Sequence, residues 1–556
     1  MLALLGRVLT MDPSMPVAEG VGVRDGRIEV VGSAEEVRAA MGDGADVVEL
    51  GDELILPAFI DAHHHFCMAA FYRRTPDLHD LPTIDELLGK VEEAARGGGD
   101  GWLRLQGYDP SKLRERRAPS AAELDEVCPD RPVLVIAYSF HDGCLNSRGL
   151  ADMGWSDGSP DPPHGMLIRS GGRLTGEVSE AALFLAEARS RDSLLDNAED
   201  AWIAECEAHG RALLTAGIVR VGDAAVPPAF ERLYERAADS GALPVIVHRM
   251  PVSAASMIVP RTDAAPTGSG PAATPIGPAK LFMDGAERCA ICMSMTEMAR
   301  AGAGMLRAAV GGEGLAALRS AASVQWERGA DGRMHSGILF WDQDALNAAV
   351  SAAAKSGLQV AQHAIGNEAI ELAVTALEHA GGALDDLPGR PRLEHVTFLD
   401  RDLARRLADT AAMAVVQPYF NYDMVGDYAA LTPPPDPMVV LPLRMLIDAG
   451  VELAGSSDHP VSGYDVLAAV EAAVRRHTRG GRVWEPEEAI TAEEALRAYT
   501  LGSAKALGVE HEAGTLEKGK RADIVVLSGD PRRTMPTELS VERTYLGGEL
   551  VYDRAA

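Results

Sequence analysis

Residues 54–65 read Leu54-Ile55-Leu56-Pro57-Ala58-Phe59-Ile60-Asp61-Ala62-His63-His64-His65. An apolar run of strand length ends in an aspartate and three consecutive histidines. Side chains on a strand alternate between its faces, so His63 and His65 share one face and His64 takes the other. At about 3.3 Å per residue the two imidazoles lie roughly 6.6 Å apart along the strand, close enough to lean onto one metal ion. A bare His-x-His is a short motif, and a hydrogen-bonded polar cluster at a strand end explains it equally well. The rest of the chain separates the two readings.

Seven more apolar, strand-like runs follow: Ile218–Ala224, Leu243–Met250, Ala279–Gly285, Leu358–Gly366, Arg390–Val396, Met413–Tyr419 and Val451–His459. Helical patterns such as Ala201–Ala216, Gln343–Ser356 and Leu441–Ala449 lie between most of them. Strands alternating with helices predict parallel βα units, and eight of them predict an α/β fold of the (β/α)8, TIM-like barrel type. A doubly wound open sheet is the other candidate, but no Gly-rich phosphate loop follows the first strand. Both chain ends read as β. Asp25-Gly26 and Gly547-Gly548 mark hairpin turns, and Ala522–Leu527 is a buried strand. The expected organisation is a β-sandwich from residues 1–53 plus 510–556 and a barrel over 54–509. The excess length at 66–197 is expected to be an α+β insertion over the barrel mouth. Pro260–Ala279 and Met293–Gly314 read as long loops, the second a candidate lid.

The bulk numbers exclude several function classes. The chain has 556 residues, is 47% apolar and 24% charged, and carries a formal charge of −30. Such an acidic surface repels phosphate backbones and anionic lipid, so nucleic acid and membrane are not expected partners. No run of 18 apolar residues and no cationic leader is present. Six cysteines in a chain of this length do not read as a disulfide framework, and a reducing cytoplasm is the expected location.

Barrel enzymes place their chemistry at the C-terminal ends of the strands. Those ends carry His63, His65, Lys280 with Asp284-Gly285 beyond it, His363, His395 and Asp458. Any one of these has a structural reading. Their convergence on one rim does not, and an inward lysine is hard to dismiss because burying an ammonium is costly unless it is paired or changed.

The segments LPAFIDAHHH, AKLFMDG, VAQHAIGN, RPRLEHV, LAGSSDHPV and GTLEKGKRADIVVL resemble the amidohydrolase superfamily. They are most similar to its third family, the group that includes N-substituted formamide deformylase. GWLRLQGYDP, RPVLVIAYSFHDGCLNSRGL and LTGEVSEAA resemble that family's insertion. The resemblance implies a metal-dependent hydrolase with two divalent ions, zinc in type. It places His63 and His65 on the first metal, with Asp458 beside it as ligand and proton shuttle. His363 and His395 take the second metal, and Lys280, carboxylated by CO2, bridges the two. A carbamate turns a cation into an anionic oxygen ligand, and imidazoles with carboxylates suit zinc.

The expected reaction is cleavage of an amide-type C–N bond in a small molecule. Ester, lactone or ring-amide hydrolysis by the same centre is the alternative, ahead of a mononuclear deaminase or a metal-free binding protein. His141, Arg288 and His459 are candidate substrate contacts, and the resemblance implies a homodimer. Three positions depart from the family pattern: Asn367 replaces an Asp, Ala58 replaces a Gly, and the stretch GAERCAICM is rich in cysteine. Cys289-x-x-Cys292 has metal or redox spacing but lacks a partner pair at ribbon spacing, and His64 is expected to face the helices.

Overall fold

The computed structural model describes residues 1–98, 101–110, 112–195, 198–253, 261–286, 288–308, 325–424 and 438–556. The run 54–65 divides at Ala58. Its first half belongs to a strand, Asp46–Pro57, that pairs antiparallel with Ile524–Leu527, Leu54 against Leu527 and Pro57 against Ile524. Residues 54–57 of this strand are buried on both faces, which is why they read as unbroken apolar sequence. Ile55, Ile524 and Val526 pack with Leu4, Val21 and Tyr545, while Leu54, Leu56, Val525 and Leu527 join the main core. Residues 54–57 thus lie in the sheet built by the chain ends, and the next strand begins at Phe59.

The terminal segments form one seven-stranded sheet, not the expected pair of facing sheets. Its order is Glu549–Asp553, Val541–Leu546, Ile524–Leu527, Asp46–Pro57, Leu2–Leu9, Val17–Arg24, Arg27–Gly32. The sheet curls until one edge, Arg27–Gly32, meets the chain that leads into Ile524–Leu527. Ile28 N–H donates to Lys520 O at 2.9 Å, and Ala522 N–H donates to Gly26 O at 2.9 Å. One face thus encloses its own core, and the helix Ala34–Met41 covers the other through Val37 and Met41. Both turns use positive φ, at Asp25-Gly26 and at Gly547-Gly548, as two-residue hairpins require.

Eight parallel strands carry the site: β1 (Phe59–His64), β2 (Ile218–Val226), β3 (Ile246–Pro251), β4 (Ala279–Phe282), β5 (Val360–Ala364), β6 (Arg392–His395), β7 (Met413–Val416) and β8 (Leu453–Gly455). They form two arcs, β3-β2-β1 and β4-β5-β6-β7-β8, in a mixed α/β fold. The arcs are not joined by continuous ladders. A few backbone bonds bridge both seams: Arg249 N–H donates to Pro275 O and Gly277 N–H to Arg249 O between β3 and the chain ahead of β4, and Asp458 N–H donates to His63 O and His65 N–H to His459 O between β1 and the chain beyond β8.

The insertion builds a five-stranded sheet, ordered Leu103–Tyr108, Val133–Ala137, Asp142–Leu145, Arg173–Glu180, Gly165–Ser170. It has a core of its own around Leu87, Val91, Leu105 and Val135. Residues 261–278 contain no helix or strand, as expected. Met293–Gly314 differs: Met295–Ala308 is a helix, and 309–314 lie outside the described residues. Among the described residues no helix is long and apolar enough to cross a membrane.

Candidate metal centre

His63, His65, His141, Lys280, His363, His395 and Asp458 line one cavity at the C-terminal ends of the strands. Simple alternation does not deliver all of them. Ala62 packs between the two arcs against Met413, Val415 and Ala454, so the next residue should face the other way. A bulge resets the phase. Asp61 pairs with Val221 and His64 with Asp223, so three steps of β1 match two of β2. His63 and His65 then turn to the cavity. His64 lies behind them, its Nδ1–H donating to Asp61 at 3.0 Å, its ring stacked on His209. At β6 a different device acts. His395 and Val396 have φ of 74° and 48°, a sparsely populated conformation for side-chain-bearing residues. It redirects His395 to the cavity.

The rings are held from behind. His63 Nδ1–H donates to Glu394 Oε2 at 2.5 Å, His65 Nδ1–H to Ala224 O at 2.8 Å, and His395 Nδ1–H to Gln417 Oε1 at 3.0 Å. Each bond leaves Nε2 as the bare nitrogen facing inward, the arrangement that orients histidine ligands. Asp458 Oδ1 lies 3.3 Å from His63 Nε2 and 3.0 Å from His65 Nε2. The His363 and His395 ring centroids are 4.5 Å apart. Lys280 Nζ sits 4.9 Å above the Phe282 ring.

Three buried nitrogens, Lys280 Nζ, His363 Nε2 and His395 Nε2, have no hydrogen-bond partner. Buried polar atoms rarely go unpaired, and these converge with a carboxylate. His63, His395 and Asp458 bring one donor atom each within 4.8 Å of one another. The donor set fits a divalent ion such as zinc. Burial lowers the Lys280 ammonium to about 8 and, with His395 and Lys280 beside it, pushes His363 well below its usual value. Burial likewise takes His395 to about 3. Both imidazoles are therefore neutral, the form that ligates. Burial alone would raise the Asp458 carboxyl, but His63, His65 and His395 outweigh it and hold it well below the carboxylate range.

Two of the expected substrate contacts are elsewhere. Arg288 Nε–H donates to Ser179 Oγ at 3.1 Å and does not line the cavity. His459 turns away, its Nδ1–H donating to Ser462 O at 3.0 Å and its ring stacked on His209. His141 reaches the cavity from the insertion, and its Nδ1–H donates to Glu180 Oε2 at 2.7 Å. Burial is the largest influence on the His141 imidazole and lowers it, but Glu180, Asp142 and Asp458 together outweigh it, so the net shift is upward. Glu394, Gln417 and Glu180 were not singled out from sequence. The signal for Glu394 was available, since a glutamate inside the apolar run of a buried strand needs a partner.

The fold and the donor set define a metal-dependent hydrolase. The chain matches the amidohydrolase family over residues 46–552 and belongs to it. It is 30% identical to N-substituted formamide deformylase of Arthrobacter pascens, over 100% of this chain and 98% of the relative. It is 28% identical to the putative amidohydrolase YtcJ of Bacillus subtilis (strain 168), over 99% of each. An uncharacterized metal-dependent hydrolase from Pyrococcus horikoshii OT3 shares the fold, with a TM-score of 0.69 at 22% identity, covering 96% of this chain and 99% of that one.

Proposed function

We propose that the protein hydrolyses an amide-type C–N bond of a small molecule, an N-substituted formamide or N-acyl amine, at a binuclear centre in a (β/α)8 barrel. The observation that carries this is the Asp458 carboxylate lying between the bare Nε2 atoms of His63 and His65, facing three buried nitrogens that lack partners. His63, His65 and Asp458 would hold one ion, His363 and His395 the other, and a carboxylated Lys280 would join them. When bound, the metal supplies a water of lowered pKa and Lewis acidity toward the carbonyl oxygen. Asp458, ionised and beside the attacking water, takes its proton and returns it to the leaving amine. A Lys280 amine lowered to about 8 supplies the neutral form that reacts with CO2.

The cavity walls are apolar. Ile136, Phe140, Leu183 and Phe184 come from the insertion, and Phe398 and Phe420 from the barrel side. The amine or acyl part of the substrate is therefore an apolar group, bound by burial of its surface. The relationship to a formamide deformylase favours the formyl amide.

The test is a panel of N-formyl amines, N-acetyl amines and lactones with one common apolar substituent, given to metal-replete protein. Turnover of the amides that stops on chelation supports the proposal. Lactone hydrolysis with no amide turned over replaces it with the ester and lactone reading, which the same residues can serve.

A further inference from the structure

The segment beyond β4 carries a second donor cluster that the barrel chemistry does not use. Strands Ile291–Met293 and Met334–Ser336 pair antiparallel, with Cys292 opposite His335. Cys292 Sγ lies 4.0 Å from His335 Nε2, and Asp331 Oδ1 lies 3.2 Å from the same nitrogen. The other ring nitrogen, Nδ1, faces Glu368 Oε1 at 2.9 Å. A carboxylate behind a histidine in this way fixes its tautomer and is a recurrent feature of metal-binding imidazoles. With the proton on Nδ1, three electron-pair donors face one another, a thiol sulfur, an imidazole nitrogen and a carboxylate oxygen, with no proton among them but the thiol's own.

The separations suit one small cation. Zinc ligands sit at about 2.3 Å for sulfur and about 2.0–2.1 Å for nitrogen and oxygen. A tetrahedral array then puts sulfur and nitrogen roughly 3.6 Å apart and nitrogen and oxygen roughly 3.4 Å apart. The observed 4.0 and 3.2 Å are within a few tenths of an ångström of these. Arg333 Nε–H donates to Cys292 Sγ at 2.8 Å; burial raises the thiol overall, with Arg333 opposing it, so the metal itself displaces the proton on ligation.

The support behind the cluster is built. Asn367 Oδ1 accepts from Cys292 N–H at 3.0 Å, and Asn367 Nδ2 donates to Cys292 O at 2.9 Å. An aspartate at 367 could make the first bond but not the second. The asparagine that departs from the family pattern therefore clamps the backbone of the cysteine that departs from it too.

We propose that Cys292, Asp331 and His335 form a separate site for a borderline divalent ion, zinc in type, with its fourth position open to water. Bound there, the ion ties the Ile291–Met293 hairpin to the helix Asn367–Ala380, which starts three residues after β5 and carries Glu368. It is a structural clamp on the segment between β4 and β5, outside the catalytic cavity.

Cobalt(II) tests this without any assay of activity. None of His63, His65, Lys280, His363, His395 and Asp458 offers sulfur, so a sulfur-to-cobalt charge-transfer band reports on a cysteine outside that set, and loss of the band in Cys292→Ser assigns it. Metal-stripped full-length protein titrated with cobalt(II) chloride should develop that band with a stoichiometry of one per chain. Lys280→Ala and Cys289→Ser should retain it, and Cys292→Ser should abolish it. Glu368→Gln should weaken cobalt binding at this site about 10–100-fold, the usual effect of losing a partner behind a ligand. No band in the wild-type protein overturns the site, and leaves His335 as an imidazolium bridging Asp331 and Glu368. A band that survives Cys292→Ser, or is lost in Cys289→Ser, also overturns it. If Cys292→Ser does not fold, His335→Ala and Asp331→Ala decide, and an undiminished band in both overturns the proposal.

Discussion

Glu394 Oε2 accepts the Nδ1–H of His63 at 2.5 Å, while its Oε1 accepts from Arg392 Nε at 2.5 Å. All three side chains are buried. Burial opposes ionisation of Glu394, but Arg392 and His63 outweigh it and hold the carboxyl well below its usual range. The carboxylate thus does two jobs: it neutralises a buried guanidinium and it aims a metal ligand. Glu394→Gln keeps the shape and removes the charge. Metal affinity should fall about 10–100-fold. Leaving Arg392 without its carboxylate should cost about 3–5 kcal/mol of stability. Metal-dialysis isotherms and denaturant melts on the same preparation measure both, and an unchanged affinity would show that Glu394 serves Arg392 alone.

Lys280 makes the metal-free protein sensitive to alkaline pH. Its ammonium titrates at about 8 in the fold against 10.5 in an open chain. Between those values the unfolded chain binds the extra proton, so stability rises with pH across that window. Below about 8 the buried ammonium costs its full amount, on the order of 3 kcal/mol from the size of the shift. Lys280→Met should therefore stabilise the chelated protein at neutral pH and remove this part of the slope. Urea unfolding of both chelated proteins from pH 7 to 10.5 measures the difference, and parallel curves would contradict it.

Gly222 lies on β2 where a Cβ would stand 2.2 Å from Ala62 O and 2.7 Å from Met250 Cε. The first of these is backbone of the strand that carries His63. Gly222→Ala should destabilise the fold by about 1–3 kcal/mol, the usual cost of overpacking. It should also loosen metal binding, because β1 has to shift. Thermal melts with and without metal test this, and a variant that melts like the wild type in both would show that the strands can part at no cost.

The eight strands were legible because each is buried on both faces and so reads as a short apolar run bounded by polar or glycine-rich sequence. The residues that line the cavity at the rim were legible for the same reason: polar residues at the ends of such runs are conspicuous. What sequence did not show depends on pairing with distant segments. The division at Ala58 exists because residues 54–57 pair with 524–527, almost five hundred residues away. The bulge at Asp61–His64 is a register relation to β2, and no local pattern encodes it. His395 faces inward through a positive φ that strand periodicity cannot anticipate. His459 follows Asp458 in sequence and Arg288 lies on the segment beyond β4, but they turn to His209 and Ser179, neighbours supplied by the helix Glu199–Thr215 and by the insertion.

Metal content should follow the donor set. With Cys292→Ser removing the peripheral cluster, the barrel centre should retain about two ions per chain, by the ligand count of zinc sites. Lys280→Ala in that background should lose at least one of them. Elemental analysis of protein never exposed to chelator gives the count, and a single ion retained in both proteins would replace the binuclear reading with a mononuclear one.

Asp458 carries the most exposed claim. Its backbone N–H donates to His63 O at 2.9 Å, so the chain leaving β8 is pinned against β1. That bond sets the carboxylate beside His63 and His65 Nε2. Despite its burial the carboxyl is held well below its usual range, His63 first among the causes, so it is ready to accept a proton. Asp458→Asn preserves size and polarity but removes the basic oxygen. General acid–base groups contribute about 10²–10⁴-fold in rate, so kcat should fall by at least that order. The backbone bond and the histidines remain, so most of the metal should stay. If Asp458 only braced β8 against β1, the asparagine would brace it equally well and kcat would hold. Measuring kcat and bound metal on one preparation separates the two, and near wild-type turnover at full metal content removes Asp458 from the proton path.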